Sequence, residues 1–343
     1  MTMLNRTHEL HVDSSRNSVS AMALLRYVFA CWVSLANLVF NQSVRAEQTV
    51  SKTTHVYKTV GDLPIQLDVI RPHDQIQRQL IVWIHGGALI NGHRESVPGR
   101  IQSMLLNAGY AIASIDYRLA PETKLPEILS DVEDAFSWLR TSAPAEQNLD
   151  TSRIGVIGGS AGGYLTLSSG HRVHPRPTVL VSLWGYGDLI GDWYSQPSPH
   201  PRHNQRKLSK EQVSLNVQGP PIADSRNRQG GGEFYIYCRQ QGTWPREVSG
   251  WDPHTAADKF QPFMPVLNVT PEYPPTLLIH GTNDTDVPYE QSVLMQQKFQ
   301  QHGVEHELIT IRGGEHGLAG GDSMEIEAAY ERMLTFVNQH MRQ

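Results

Sequence analysis

The chain has 343 residues, 39% hydrophobic and 18% charged, the balance of a soluble globular protein long enough for one large domain or two small ones. Its formal net charge of −5 gives no basic excess to suggest nucleic acid or an anionic membrane as a partner. The two cysteines, Cys31 and Cys238, are too few for a disulfide framework or a cysteine-based metal site.

The N-terminus reads as a targeting segment. Residues 27–40 are almost uninterrupted apolar, Arg26 precedes them, and Val44-Arg45-Ala46 forms a small-x-small pattern before Glu47. A basic flank, a short apolar core and a small residue at the cut describe a secretory signal peptide. The apolar run falls short of the roughly 20 residues a spanning helix needs. The expectation is therefore a signal peptide over 1–46, cleavage near Ala46, and a secreted or periplasmic product without stable membrane insertion. The polar stretch 1–20 is long for an n-region, which makes Met22 an alternative start to Met1. Cys31 follows Val-Phe-Ala, a poor lipobox because of Phe29. Cleavage at Ala46 leaves Cys238 alone, so no intrachain disulfide is expected.

Downstream, residues 53–70 alternate around Gly61-Asp62 and predict an opening β-hairpin. Leu80–Ile84 is a continuous apolar run ending in His85-Gly86-Gly87, and Ala111–Ile115 is a second run ending at Asp116. Such strands suit a parallel sheet covered on both faces. Between them Ile101, Met104, Leu105 and Ala108 share one helical face, and Ile128, Val132, Phe136 and Leu139 share another after Asp116. Further strands are expected at 154–157, 179–183, 276–279 and 307–311, with a closing helix near 322–340. Alternating strands and helices imply an α/β fold, a mostly parallel sheet with helices on both faces.

Residues 185–275 break this rhythm with many Pro and Gly residues, a polar stretch at 200–232 and the aromatics Trp193, Tyr194, Phe234, Tyr235, Tyr237, Trp244 and Trp251. A structureless loop of that length is improbable inside a compact domain. The segment reads as a cap over the carboxyl ends of the strands, where open α/β sheets bind ligands. The expected organisation is thus a catalytic domain over 47–343 with a cap insertion at about 185–275.

Gly158-Gly159-Ser160-Ala161-Gly162 follows a strand and opens a helix, the context of a nucleophile elbow. The glycines let the turn pass close to its neighbours, and the helix N-terminus aims free N–H groups at a reacting oxygen. His85-Gly86-Gly87 ends an earlier strand, where the N–H groups of Gly86 or Gly87, with that of Ala161, suit an oxyanion hole. A serine needs a base and an orienting acid, in the chain order Ser, acid, His for this arrangement. His316 combines a strand-end position with the Gly-rich loop Gly313-Gly314-Glu315-His316-Gly317. The acid is expected at Asp284, with Asp286 and Asp188 as alternatives. His171, His174, His200, His203, His302 and His306 read as solvated or structural, and Asp116 and Glu122 as partners of Arg118.

His85-Gly86-Gly87, Asp116-Tyr117-Arg118-Leu119-Ala120-Pro121-Glu122 and Gly158-Gly159-Ser160-Ala161-Gly162-Gly163 together resemble the α/β-hydrolases of the hormone-sensitive-lipase-like and carboxylesterase or feruloyl-esterase-like groups. His280-Gly281-Thr282-x-Asp284-x-x-Val287-Pro288 resembles the acid loop of those esterases and of prolyl-oligopeptidase-type hydrolases. In that pattern the first aspartate is catalytic, which favours Asp284. The resemblance covers roughly 55–180 and 275–340 and leaves the cap unaccounted for. It implies a Ser160–His316–Asp284 acyl-enzyme mechanism, with no metal and no organic cofactor, on a small-molecule or carbohydrate-linked ester. Two other readings are a serine peptidase, which shares the acid loop, and a non-catalytic binding protein on the same fold.

Overall fold

The computed structural model describes residues 49–143 and 147–342; the expected signal peptide at 1–46 lies outside the described residues. Residues from Val50 onward form one compact unit. Its centre is an eight-stranded sheet: β1 (Val50–Val60), β2 (Leu63–Pro72), β3 (Arg78–Ile84), β4 (Ala111–Ile115), β5 (Leu149–Gly159), β6 (Val179–Leu183), β7 (Thr276–Gly281) and β8 (His306–Ile311). They lie in the order β1-β2-β4-β3-β5-β6-β7-β8. Only β2 runs against its neighbours: β1–β2 and β2–β4 are antiparallel, and every other pair is parallel. The hairpin expected at 53–70 is the β1–β2 pair, turning at Gly61 with φ of 58°.

The continuous apolar strands have a simple cause. Successive side chains on a strand point to opposite faces, and here both faces are covered. Leu80, Val82 and Ile84 of β3 enter a core shared with Ile128, Val132 and Phe136. These belong to helix α2 (Leu125–Thr141), which follows α1 (Gly99–Asn107). Ile81 and Trp83 enter the opposite core with Ile101 and Leu105 of α1, and with Met333, Phe336 and Val337. Those three come from the last helix, α7 (Ser323–Met341). Helix α3 (Ala161–Arg172) leaves β5 and is buried along most of its length. α6 (Glu290–His302), which the sequence did not single out, joins the first core through Met295 and Phe299.

Residues 185–275 form short helical turns together with α4 (Gly231–Gln241) and α5 (Trp244–Ser249). Their aromatics pack on one another rather than facing solvent. Tyr194 stacks on Trp244 at 4.0 Å and on Trp193 at 3.7 Å, and Tyr186 meets Trp244 edge-on. Cys238 on α4 is free and buried. The partnership expected of Arg118 with Asp116 and Glu122 is corrected by the structure. Arg118 clasps Asp131 at 2.7 Å, Asp116 pairs with Arg94 at 2.7 Å, and Glu122 pairs with Arg228. Asp131 is buried on α2 between Ile128 and Val132, a placement that sequence spacing from Arg118 does not show. Among the described residues no helix is long and apolar enough to cross a membrane.

Candidate active site

β5 ends at Gly159 and α3 begins at Ala161, leaving Ser160 alone on the turn with φ 57° and ψ −122°. A non-glycine residue there is strained, and such strain persists only where surrounding packing enforces it. Two glycines make the packing possible. A Cβ on Gly158 would fall on the Gly162 carbonyl, and one on Gly162 would fall on the Ile84 carbonyl. β3, β5 and α3 therefore meet at closer range than any side chain allows. The Ser160 N–H donates to the Leu183 carbonyl at 2.9 Å, fixing the turn against β6.

The loops after β7 and β8 bring two more groups to this turn. His316 Nε2 lies 3.1 Å from Ser160 Oγ, and His316 Nδ1 lies 2.8 Å from Asp284 Oδ2. Asp284 Oδ1 accepts from the N–H groups of Asp286 and Val287, both at 2.9 Å. With a carboxylate on Nδ1, the ring keeps its proton there and turns the Nε2 lone pair to the serine hydroxyl. Burial would raise the Asp284 carboxyl, but hydrogen bonds from His280 and His316 outweigh it and hold the group at about 2. Burial would lower His316, yet the bond and charge of Asp284 and the charge of Asp286 prevail and raise it above 6.5.

Gly86 sits against the elbow: a Cβ there would lie 2.7 Å from the Gly159 carbonyl oxygen and 3.2 Å from Ser160 Cβ. Gly87, Ala88 and Leu89 follow with φ of 107°, 57° and 60°, an unusual run for which two of the residues are not glycine. Tertiary bonds hold it. Trp244 Nε1–H donates to the Ala88 carbonyl at 2.9 Å, and the Ala120 N–H to the Leu89 carbonyl at 2.8 Å. The Tyr117 hydroxyl donates to the His85 carbonyl at 2.9 Å while its ring stacks on the imidazole. Burial pushes His85 down to about 4, so it is a neutral prop. The N–H groups of Gly86 and Gly87 belong to this loop. That of Ala161, first in α3, has no intrahelical acceptor.

The two alternative acids stand elsewhere. Asp188 accepts from the N–H groups of Ile190 and Gly191, closing a turn. Asp286 is nearer, with Oδ2 3.8 Å from His316 Nε2, but it touches the opposite side of the imidazole from Asp284. Its Oδ1 accepts from His203 Nε2 at 2.9 Å, the Tyr235 hydroxyl at 2.6 Å and Arg239 at 3.1 Å. His203, expected to be solvated or structural, is thus a buried partner of a residue in the site. Trp184 was also missed; its φ of 40° is strained, and its ring meets His316 edge-on at 6.4 Å. A signal existed in the pair Tyr235 and Arg239, one helical turn apart on the same face. His203 carried none. Among the described residues no group of three or more His, Cys, Asp or Glu is placed to hold a metal ion.

The sheet order and the serine turn are those of the α/β-hydrolase fold. The BD-FAE family model matches residues 67–177 and the prolyl oligopeptidase family model residues 219–343. In structure the chain is similar to an alpha/beta hydrolase superfamily protein from Enterococcus faecalis, with a TM-score of 0.66, 20% identity and coverage of 84% of this chain and 99% of that one. It is also similar to a truncated carbohydrate esterase from gut microbiota, with a TM-score of 0.61, 22% identity and coverage of 87% and 99%. Thermogutta terrifontis esterase 2 phosphonylated by sarin gives a TM-score of 0.59 at 21% identity, covering 84% and 95%. In sequence the chain is 25% identical to the non-reducing polyketide synthase pkbA of Emericella nidulans over 92% of its own length. It spans only 15% of that synthase.

Proposed function

We propose that the chain is an exported serine hydrolase that cleaves carboxylic esters through an acyl-enzyme. The observation that carries this reading is the unbroken row from Asp284 through His316 to Ser160, at 2.8 and 3.1 Å. In the first half-reaction His316 Nε2 takes the Ser160 proton as Oγ attacks the ester carbonyl. The N–H groups of Gly86, Gly87 and Ala161 are the donors for the developing oxyanion, and Asp284 stabilises the imidazolium. Nε2–H then protonates the departing alcohol oxygen as the C–O bond breaks, leaving the acyl group on Ser160. Water, deprotonated by His316, releases the acid and returns the proton to Ser160. The esterases among the structural neighbours support this choice of substrate class.

The prolyl oligopeptidase match over 219–343 favours a second reading, a serine peptidase using the same three residues. Turnover of p-nitrophenyl acyl esters against aminoacyl amides, with Ser160→Ala as control, separates the two. Esters turned over well and amides poorly, with both lost in the mutant, is the expected result. Export rests on residues 1–46, which precede the described part of the chain. Mass measurement of the mature protein is expected to find Glu47 at its N-terminus, and an intact leader would overturn the export proposal.

A further inference from the structure

Asp286 takes no part in the steps above, yet it stands within the site. Its side chain is 13% exposed, and three donors from 185–275 converge on Oδ1. Arg239 also donates to the Asp286 carbonyl at 2.8 Å. His203, 1% exposed, is itself fixed, with Nδ1 2.8 Å from Ser198 Oγ and its carbonyl accepting from Gln240 Nε2 at 2.7 Å. The carboxylate therefore has no freedom to swing. Its other oxygen, Oδ2, points toward His316 Nε2 from 3.8 Å, too far for a hydrogen bond.

Nε2 is the atom that hands its proton to the departing alcohol in the proposed reaction. With the departing oxygen at Nε2, a group two or three bonds out from it would lie on the side of Oδ2, 3.8 Å from Nε2. An ionised carboxylate is an acceptor only, and the groups around Asp286 keep it ionised. Burial opposes ionisation, but the bond from His203, the charges of His316 and Arg239 and the bond from Tyr235 lower the carboxyl well beneath its usual range. Asp284 lies behind His316, and Glu315 pairs with Arg202 at 2.8 Å. With His316 neutral, the carboxylates of Asp284, Asp286 and Glu315 face only the guanidiniums of Arg202 and Arg239; with His316 protonated the charges balance, and burial keeps His203 toward its neutral form.

We propose that Asp286 selects the leaving alcohol by charge, favouring esters whose alcohol carries a cation or a hydrogen-bond donor close to the ester oxygen. His203, Tyr235 and Arg239 are positioning residues that hold its Oδ2 toward that group. The assignment rests on the serine-esterase reading and deepens it.

The test compares acetylcholine with 3,3-dimethylbutyl acetate, which has nearly the same shape and acyl group but no charge. The wild-type chain is expected to favour the choline ester in kcat/KM by about two- to fivefold, the scale of a partly exposed ion pair. The preference should shrink as salt rises from about 0.02 M to about 0.5 M and shortens the screening length. In Asp286→Asn the ratio is expected to fall toward one, and Asp286→Glu should restore part of it. Each ratio is internal to one protein, so a general loss of activity leaves it readable, and the wild-type arms stand without any variant. A wild-type ratio near one, or an unchanged ratio in Asp286→Asn, would overturn the assignment while p-nitrophenyl ester hydrolysis left the esterase reading standing. No hydrolysis of any ester would overturn both.

Discussion

At the scale of single residues, His316 carries the most constrained expectation. Ester attack needs its neutral form, because only a free Nε2 lone pair accepts the serine proton. Burial pulls its pKa down, but the bond to Asp284 and the two carboxylate charges push it above the ordinary 6.5. A raised pKa means the imidazolium persists to higher pH, so activity is lost as pH falls through that value. The acid limb of kcat/KM is expected to have its midpoint above 6.5, and a midpoint at or below it would contradict this balance of charges. Ser160 and His316 were legible because each sits in a Gly-rich turn at the end of an apolar strand. His203 was not, since the residue that gives it meaning lies 83 positions away. Between Asp284 and Asp286, spacing alone left the choice open; the acid-loop resemblance favoured Asp284, and what faces each carboxylate is visible only in the fold.

At the scale of elements, the loop of Gly86 and Gly87 depends on a contact from far along the chain. Trp244 is 1% exposed and reaches 156 positions back to the Ala88 carbonyl. Trp244→Ala would remove a large buried ring and is expected to cost about 3–5 kcal/mol. Trp244→Phe keeps most of the packing but leaves a buried carbonyl unpaired, at about 1–3 kcal/mol. Urea unfolding measures both, and equal losses from the two variants would show that the indole N–H, not the ring, holds the loop. The strands were readable because burial on both faces writes a continuous apolar run. α6 escaped notice because its buried side includes Gln291 and Ser292 beside Met295 and Phe299, so its apolar stripe is broken. The packing within 185–275 was hidden for another reason: its aromatics mark burial in sequence but not which ring meets which.

At the scale of the whole molecule, the sheet order places the ends of β3, β5, β7 and β8 so that their loops meet around one serine. β3 supplies Gly86 and Gly87, β5 the turn bearing Ser160, β7 the loop of Asp284, and β8 the loop of His316. Each strand's alternation and length could be read locally, and so could the motifs at their ends. The substrate side could not, because residues 185–275 hold Asp286 in place through side chains that only the fold assembles. The central claim is that this assembly hydrolyses esters through Ser160. The measurement that tests it most directly is hydrolysis of p-nitrophenyl acyl esters from two to twelve carbons by the mature chain and by Ser160→Ala. The account predicts turnover with a chain-length optimum, falling by about 10³-fold or more in the mutant. Equal rates in the two proteins, or no turnover in either together with no labelling of Ser160 by a fluorophosphonate, would contradict it.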